Sequence, residues 1–362
     1  MEALCSLFFT VCTELLVVMS EGLPLGTKIK ERWVVVRKIG EGGCGAVYEL
    51  KSIHIDSERV ALKLELIRAR KAGLLRMELH VLGLLQGTQH VCKLYASGRC
   101  ETYRYFVMSL LGPSLSQLRG STPNGRSFSV PTMFRVALQC LQAIQDLHKI
   151  GYVHRDIKPG NFAIGASSNL RRHIYLFDFG LARLYAMVSR PSGRREVRRP
   201  RPKAFFRGTV RYCSANVHKR REQGPHDDLC SLLYMLIELL RGLPWTGLRN
   251  KDQIHHMKEN ISVKQLVSGC PKELQSIAEH IKSLNYSSQP DYRLIHDKLR
   301  ETLTERHITD DQPYDWEQRD QQAAAVGSDA LELPDEKTEP SLSRTSSSIR
   351  SSLTFTNKKP DT

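Results

Sequence analysis

The sequence contains no C-x-x-C pair. Its 362 residues include nine cysteines, and an odd number without such pairs predicts neither a zinc site nor a disulfide framework. Unpaired thiols are typical of proteins in reducing compartments. We therefore expect the protein inside the cell, in the cytoplasm, with the nucleus as a second compartment.

Long hydrophobic runs are also missing. The apolar runs Leu4–Val11 and Leu15–Met19 are separated by Glu14, and no Lys or Arg precedes them. A signal peptide starts with basic residues and a membrane helix needs about 20 apolar residues, so an intracellular extension is favoured over secretion and no membrane span is expected. The stretch Leu229–Leu240 is too short for a span and is apolar nearly all round, which predicts a buried helix.

Negative charge is scarce: 53 Lys and Arg stand against 38 Asp and Glu, a net charge of +15. Between residues 190 and 207 the only acidic residue is Glu196, and the basic residues are Arg190, Arg194, Arg195, Arg198, Arg199, Arg201, Lys203 and Arg207. Such a run is most simply a solvated loop. A nucleic-acid patch is disfavoured because aromatics are sparse there except for Phe205 and Phe206 and no nucleic-acid motif accompanies them. We expect no specific nucleic-acid partner.

The composition otherwise fits a large globular enzyme with a polar flank. Hydrophobic residues make up 41% of the chain, which is more than one small domain requires. From Arg319 onward the sequence is polar and poor in aromatics, and Ser341–Ser352 is dense in serine. This change of composition predicts a disordered tail over residues 319–362.

Two short strings carry the clearest chemistry. Residues 154–161 read HRDIKPGN, and Asp178-Phe179-Gly180 follows them; together they resemble the catalytic and metal-binding loops of protein kinases. Phosphoryl transfer needs a carboxylate that accepts the substrate hydroxyl's proton, and oxygen ligands that hold Mg²⁺ against the phosphates. Asp156 is predicted for the first role, and Asn161 and Asp178 for the second.

A glycine-rich stretch lies upstream. Ile39 begins the pattern Gly40-x-Gly42-x-x-Gly45-x-Val47 after a β-branched run, which predicts a hairpin whose backbone closes over phosphates. Cys44 stands at the tip of this loop, where kinases usually carry an aromatic residue that shields the phosphates from water. We expect slower turnover or a more mobile loop from that departure.

The strand and helix that follow complete the pattern. Val60–Lys63 alternates like a strand and directs Lys63 toward the α- and β-phosphates. Apolar residues between Leu74 and Leu85 recur at helical spacing, so Glu78 is predicted on a helix as the ion-pair partner of Lys63. A surface location for each charged residue does not explain this order of motifs.

Further strings narrow the resemblance to the casein kinase 1 superfamily of eukaryotic protein kinases, and within it to the tau-tubulin kinase-like branch. The resemblance covers about Leu25 to Glu317 and is carried by Leu110–Leu115, Gly208–Asn216, His226–Leu229, Leu243–Trp245, Pro290–Tyr292 and Pro313–Glu317.

This resemblance implies an α+β, two-lobed protein kinase fold at residues 25–318. The β-rich small lobe is expected at about 25–108, the hinge at 109–112 and the helical large lobe at 113–318, with an N-terminal extension at 1–24. The implied enzyme is a monomer that transfers the γ-phosphate of ATP to protein serine or threonine, with Mg²⁺ as cofactor. Lys158, two residues after Asp156, is typical of serine/threonine kinases and is expected to steady the transferred phosphate, and Asp228 is expected to accept bonds from the catalytic-loop backbone.

The same resemblance implies how adenine is held. The backbone C=O of Ser109 and N–H of Leu111 are expected to bond it, with Met108 gating the space behind. Val47 and Ala61 are expected to line the apolar slot.

The basic run then gains an interpretation, since in a kinase it borders the protein-substrate groove. Arg198, Arg199, Arg201, Lys203 and Arg207 are predicted to bind acidic or already phosphorylated protein substrates through charge-assisted bonds. The competing class is a pseudokinase that binds without chemistry. Because every catalytic polar residue is present, the enzyme is favoured.

Overall fold

The first part of the chain folds as an antiparallel sheet because its strands alternate apolar and polar residues. Val35, Tyr48, Leu50 and Leu62 are buried on one side of it. Six strands pair in the order β1-β2-β3-β4-β6-β5: β1 Lys28–Ile29, β2 Trp33–Gly42, β3 Gly45–Ser52, β4 Arg59–Leu66, β5 Leu94–Arg99 and β6 Tyr103–Ser109.

The computed structural model describes residues 22–42, 45–67, 73–122, 127–189, 192 and 194–318. The predicted tail at 319–362, Cys44 and most of the predicted extension at 1–24 therefore lie outside the described residues. The boundaries after residues 24 and 318 stay predictions.

One helix packs beside the sheet. Helix α1, Leu74–Leu84, follows Gly73, whose φ of 107° suits glycine. Leu75, Val81 and Leu82 are buried together with Glu78, so the helical spacing seen in the sequence is confirmed. This face brings a carboxylate into the interior, beside strand β4.

The remainder is mainly helical. Its helices are α2 Leu115–Gly120, α3 Val130–Lys149, α4 Ala215–His218, α5 Pro225–Leu240, α6 Lys251–Asn260, α7 Val263–Leu266, α8 Glu273–Ser283 and α9 Tyr292–Glu305. Short strands lie in the connections before and between these helices: β7 Leu111–Ser114, β8 Tyr152–Val153, β9 Phe162–Gly165, β10 Ile174–Leu176, β11 Arg183–Leu184, β12 Ala186–Val188 and β13 Arg195–Val197. They pair as β10-β9-β7, β11-β8 and β12-β13.

The start of helix α3 is tied to the string Pro313–Glu317. The Asp315 carboxylate accepts bonds from the Ser129 N–H at 2.7 Å and from the Thr132 hydroxyl at 2.8 Å. Ser129 in turn caps the helix by accepting from the Thr132 N–H. This fixes the helix that leads into residues 154–161.

The predicted α+β fold, β-rich first and helical afterwards, is confirmed. Helix α5 contains the apolar stretch Leu229–Leu240, and nearly all of its residues are buried, as predicted. Among the described residues, no helix is both long and apolar enough to cross a membrane.

Candidate functional site

Lys63 on strand β4 meets two carboxylates in the interior. Its Nζ lies 2.8 and 2.6 Å from the two carboxylate oxygens of Glu78 and 3.3 Å from Oδ1 of Asp178. Burial alone would lower the pKa of Lys63, but these two carboxylates outweigh it and hold the pKa above its usual value. Burial is likewise opposed at Asp178, whose pKa is lowered chiefly by Lys63. At neutral pH the lysine is therefore charged and faces an ionised Asp178.

Asp178 is held in a conformation that few non-glycine residues adopt. Its φ and ψ are 67° and 60°, in the left-handed region. Next to it the Phe179 ring is buried and packs edge-on against His154, with ring centroids 5.4 Å apart. The His154 ring nitrogen Nε2 also lies 3.2 Å from the Phe177 carbonyl oxygen. These contacts tie the loop around Asp178 to the loop around Asp156.

Asp228, at the start of helix α5, orients the loop that contains Asp156. Its carboxylate accepts the backbone N–H groups of His154 at 2.6 Å and Arg155 at 2.9 Å. The His148 ring nitrogen Nε2 lies 2.9 Å from the same carboxylate. Asp228 is 1% exposed, and these bonds compensate its burial. The role that the resemblance implied for this carboxylate is the one found.

Asp156 presents a carboxylate whose orientation is fixed on both oxygens. The Lys158 ammonium donates to Oδ2 at 2.6 Å, and the Thr209 hydroxyl donates to Oδ1 at 2.7 Å. Asn161 donates from Nδ2 to the Asp156 backbone oxygen at 2.9 Å. Thr209 was not singled out from the sequence, although it belongs to the string Gly208–Asn216. The structure thus brings Asp156, Lys158 and Asn161 together, as their spacing indicated.

The glycine-rich stretch forms the predicted hairpin. Strands β2 and β3 pair Gly40 with Val47 and Gly42 with Gly45. Gly45 has a φ of +122°, and a Cβ there would lie 1.9 Å from the Leu64 carbonyl oxygen, so only glycine fits. Ile39 on β2 is exposed.

The residues predicted around adenine lie on adjacent strands. Buried Ala61 on β4 pairs with Met108 on β6, which is 8% exposed. Ser109 ends β6 and Leu111 begins β7, and both are half-buried. The chain between these strands is where the hinge was expected.

The arginine-rich segment divides into paired and exposed residues. Arg201 donates to Glu222 through Nε and, at 2.9 Å, through Nη2, while Arg183 Nε lies 3.1 Å from the same carboxylate. The four other predicted anion-binding residues are exposed: Arg198, Arg199, Lys203 and Arg207. Arg201 is therefore already engaged inside the protein, by an acidic residue that the sequence analysis did not identify.

The far end of this segment is held by two further buried charges. Glu238 on helix α5 is fully buried and accepts from Arg211 at 2.8 Å and from the Tyr212 hydroxyl. Lys258 on helix α6 donates to the carbonyl oxygens of Val210 at 2.7 Å and Cys213 at 2.6 Å. Of these two buried charges, only Glu238 had a signal in the sequence, because it is a charged residue inside an apolar run.

The donor set fits a magnesium ion that is completed by phosphates. Asn161 and Asp178 offer an amide and a carboxylate oxygen, the hard ligands that Mg²⁺ prefers. Because Asn161 uses Nδ2 to bond Asp156, its amide oxygen is the atom available to a metal. Within the described ranges no group of three or more His, Cys, Asp or Glu residues is arranged to hold a metal ion.

The chain is similar in sequence to known proteins over most of its length. A family model described as "Protein kinase domain" matches residues 33–311. A Dictyostelium discoideum protein named a probable serine/threonine-protein kinase is 41% identical over 297 residues, which cover 82% of this chain and 58% of that protein. Serine/threonine-protein kinase spe-6 of Caenorhabditis elegans is 34% identical, with 85% and 84% covered. Casein kinase I homolog 2 of Schizosaccharomyces pombe is 35% identical, with 78% and 65% covered.

Proposed function

Since the chain belongs to the protein kinase family, we propose that it transfers the γ-phosphate of ATP to serine or threonine side chains of proteins. The observation that supports this most directly is the Lys63 ammonium held by Glu78 and Asp178. His154 contacts the Phe177 carbonyl oxygen and the Phe179 ring, and these contacts link the cluster of Lys63, Glu78 and Asp178 to the loop of Asp156. A lysine, a carboxylate and a catalytic loop so joined are what phosphoryl transfer requires, since it depends on positioning and electrostatics.

In the proposed mechanism each polar side chain has a distinct task. Asp156 accepts the proton of the substrate hydroxyl, with its carboxylate held in place by Lys158 and Thr209. Lys63 bonds the α- and β-phosphates, and Lys158 bonds the phosphate that is transferred. Asn161 and Asp178 would hold Mg²⁺. When bound, that ion would neutralise charge on the phosphate oxygens.

The adenine is proposed to lie between Val47 and Ala61 and to bond the Ser109 carbonyl and the Leu111 N–H. Their positions support this, because Ser109 ends β6 and Leu111 begins β7, so both lie where one strand gives way to the next. Met108 lies behind them, paired with Ala61.

The finer proposal is a preference for acidic or phosphorylated protein substrates. It is supported by four exposed cations on one segment, Arg198, Arg199, Lys203 and Arg207. Bidentate guanidinium groups suit carboxylates and phosphates. Arg201 is assigned a different task, that of fixing the segment through Glu222.

Transfer itself is tested with radiolabelled ATP, MgCl₂ and casein. We expect label on serine or threonine with the wild type and none with Asp156→Asn, at equal melting temperatures. If the wild type transfers no phosphate but binds ATP, the chain is a pseudokinase and the proposal fails.

The substrate preference needs a separate assay. Replacing Arg198, Arg199, Lys203 and Arg207 by Ala should raise KM for acidic and pre-phosphorylated peptides about tenfold or more, because each well-formed charge-assisted bond contributes about 1.5–3 kcal/mol. Neutral peptides and ATP should keep their KM values. Higher salt should mimic the mutations, since exposed charges more than about 8 Å apart are screened at physiological ionic strength. Replacing four exposed cations elsewhere, Lys264, Arg293, Arg300 and Arg306, by Ala serves as a control for net charge, and equal losses on both peptide classes would reject the preference.

Three further assignments remain proposals. The tau-tubulin kinase-like branch is supported by His226–Leu229 and Pro313–Glu317, and Pro313–Glu317 anchors helix α3 through Asp315. A monomeric enzyme in the cytoplasm, with the nucleus as a second compartment, is proposed from the sequence alone.

A further inference from the structure

A second cavity, separate from the catalytic cleft, is lined in part by the end of the segment Gly208–Asn216. Its volume is about 330 Å³, and its walls come from helices α4, α5, α6, α7 and α8. That volume is at the lower end of the roughly 300–1,000 Å³ typical of small-molecule sites. Nothing in the proposed phosphoryl transfer uses this space.

One wall of the cavity carries a buried cation without an acidic partner. Lys258 is 6% exposed, and both of its hydrogen bonds go to neutral carbonyl oxygens. Among the described residues no carboxylate lies within ion-pair distance of it. The rings of Tyr234 and Trp245 lie near its ammonium, each 5.2 Å from Nζ to centroid. An ammonium has three donors, so one N–H remains beyond the two carbonyl bonds.

The other charges around the cavity make it net positive. Lys219 and Lys282 are exposed and line it together with Lys258, against a single acidic residue, Glu259. Glu259 is already paired with Lys219 and lies 3.2 Å from the His255 ring. An anion entering this space therefore meets more positive than negative charge.

Besides the polar residues Ser214, Asn216 and His226, the lining contains a group of apolar side chains. Leu233, Leu266 and Ile281 come from helices α5, α7 and α8, and Ile261 follows the end of helix α6. Burial of an alkyl chain against these side chains is favourable because it removes apolar surface from water. The cavity thus combines a cationic group with a patch of hydrocarbon on its wall.

We propose that this cavity is a binding site for a small amphipathic carboxylate, whose anionic end bonds Lys258 and whose alkyl chain packs against Leu233, Ile261 and Ile281. Because the same ammonium holds the carbonyls of Val210 and Cys213, an occupant lies directly beside the segment that also bonds Asp156 through Thr209. The site is distinct from the nucleotide site and does not depend on the proposed catalysis.

The test is calorimetric titration of the full chain with octanoate below its micelle concentration, with MgADP present so that the nucleotide site is filled. Octanol and octylamine, which share the alkyl chain but are neutral and cationic, serve as controls. We expect saturable binding of octanoate, binding of octanol weaker by about tenfold or more because the charge-assisted bond is lost, and no binding of octylamine.

Variants then locate the site. Lys258→Met should weaken octanoate binding about tenfold or more, whereas Lys264→Met should leave it unchanged. Lys264 is exposed and lies between the lining residues Val263 and Leu266 without lining the cavity itself. Ala278→Leu provides a second probe, since it adds volume to the lining while keeping Lys258, and it should also weaken binding about tenfold or more.

Four results would overturn the proposal: no saturable binding, equal affinity for octanoate and octanol, wild-type affinity in Ala278→Leu, or wild-type affinity in a cooperatively melting Lys258→Met. If Lys258→Met fails to melt cooperatively, the Ala278→Leu and octanol comparisons decide the matter without it.

Discussion

Two lysines of this chain are equally buried but lie in opposite electrostatic surroundings. Lys63 in the catalytic cleft is 7% exposed and Lys258 beside the second cavity is 6% exposed. Lys63 faces two carboxylates, which hold its pKa above the usual value despite burial. Lys258 faces neutral carbonyls, and burial lowers its pKa to about 8.

The difference shows that burial alone does not determine what a charged side chain does. A buried charge with charged partners is firmly ionised and can bind phosphates without losing its proton. A buried charge with neutral partners is poised to lose its proton or to gain an anion. The first is suited to chemistry, and the second to positioning the segment that ends at Asn216.

The largest expected effect comes from breaking the first cluster. Lys63→Met and Asp178→Asn should each lower turnover by at least about 10²–10³-fold, the loss typical of removing one preorganised electrostatic contact. Their stabilities should differ. Lys63→Met leaves Glu78 buried without its cation and should cost about 3–5 kcal/mol of unfolding free energy, while Asp178→Asn keeps Lys63 paired with Glu78.

Radiolabel transfer and urea unfolding at neutral pH measure these two quantities, with Lys264→Met as the control for loss of one positive charge. Near-wild-type turnover in either variant would contradict the assignment of the site.

The second lysine is tested through pH. The pKa of Lys258 in the folded protein, about 8, lies below the usual lysine value of 10.5, so between these values the unfolded chain binds more protons and stability rises with pH. We expect the unfolding free energy of the wild type, relative to Lys258→Met, to rise by about 2–3 kcal/mol from pH 8 to 10. The thiols of Cys213 and Cys230 stay neutral there, since burial raises their pKa values to about 11 and 12.

The same titration on Lys63→Met sharpens the comparison. Because the pKa of Lys63 is raised, its contribution is present below the unfolded pKa and is lost only as pH rises through the higher folded value. The wild type should therefore gain nothing relative to Lys63→Met between pH 8 and 10. If the difference in unfolding free energy between the wild type and Lys258→Met does not change between pH 8 and 10, burial does not lower the pKa of Lys258.

The sequence allowed the residues of the catalytic cleft to be predicted, but not the surroundings of Lys258. Asp156, Asn161 and Asp178 stand in short strings whose order is set by the chemistry of phosphoryl transfer, so each could be assigned a task from its neighbours. Lys258 bonds backbone carbonyls that lie 48 and 45 residues earlier. Every sequence offers carbonyls, so no residue pattern marks such a partner.

Glu222 and Glu238 lie between these two cases. Glu238 interrupts an apolar run, and a charge there requires a partner. Its pairing could therefore have been inferred, although the identity of its partners, Arg119, Arg211 and Tyr212, could not. Glu222 stands among basic residues, where an ion pair is plausible, but the choice of Arg183 and Arg201 depends on how the segment folds back.

The smallest expected effect concerns Glu222, which tests whether charge compensation also holds the arginine-rich segment in place. Burial opposes ionisation of Glu222, but the bond from Arg201 and the charge of Arg183 outweigh it and lower the pKa of the carboxyl group. Glu222→Gln should therefore cost about 1–2 kcal/mol of unfolding free energy at neutral pH, discounted because both arginines are partly exposed. The contribution of the pair is present above the unfolded pKa and is lost as pH falls through the lowered folded value, so the two proteins should converge in acid.

Arg293→Ala, which removes an arginine that is 90% exposed, is the control and should change stability little. Equal stabilities of the wild type and Glu222→Gln at neutral pH would show that the arginines of this segment are held by something other than Glu222.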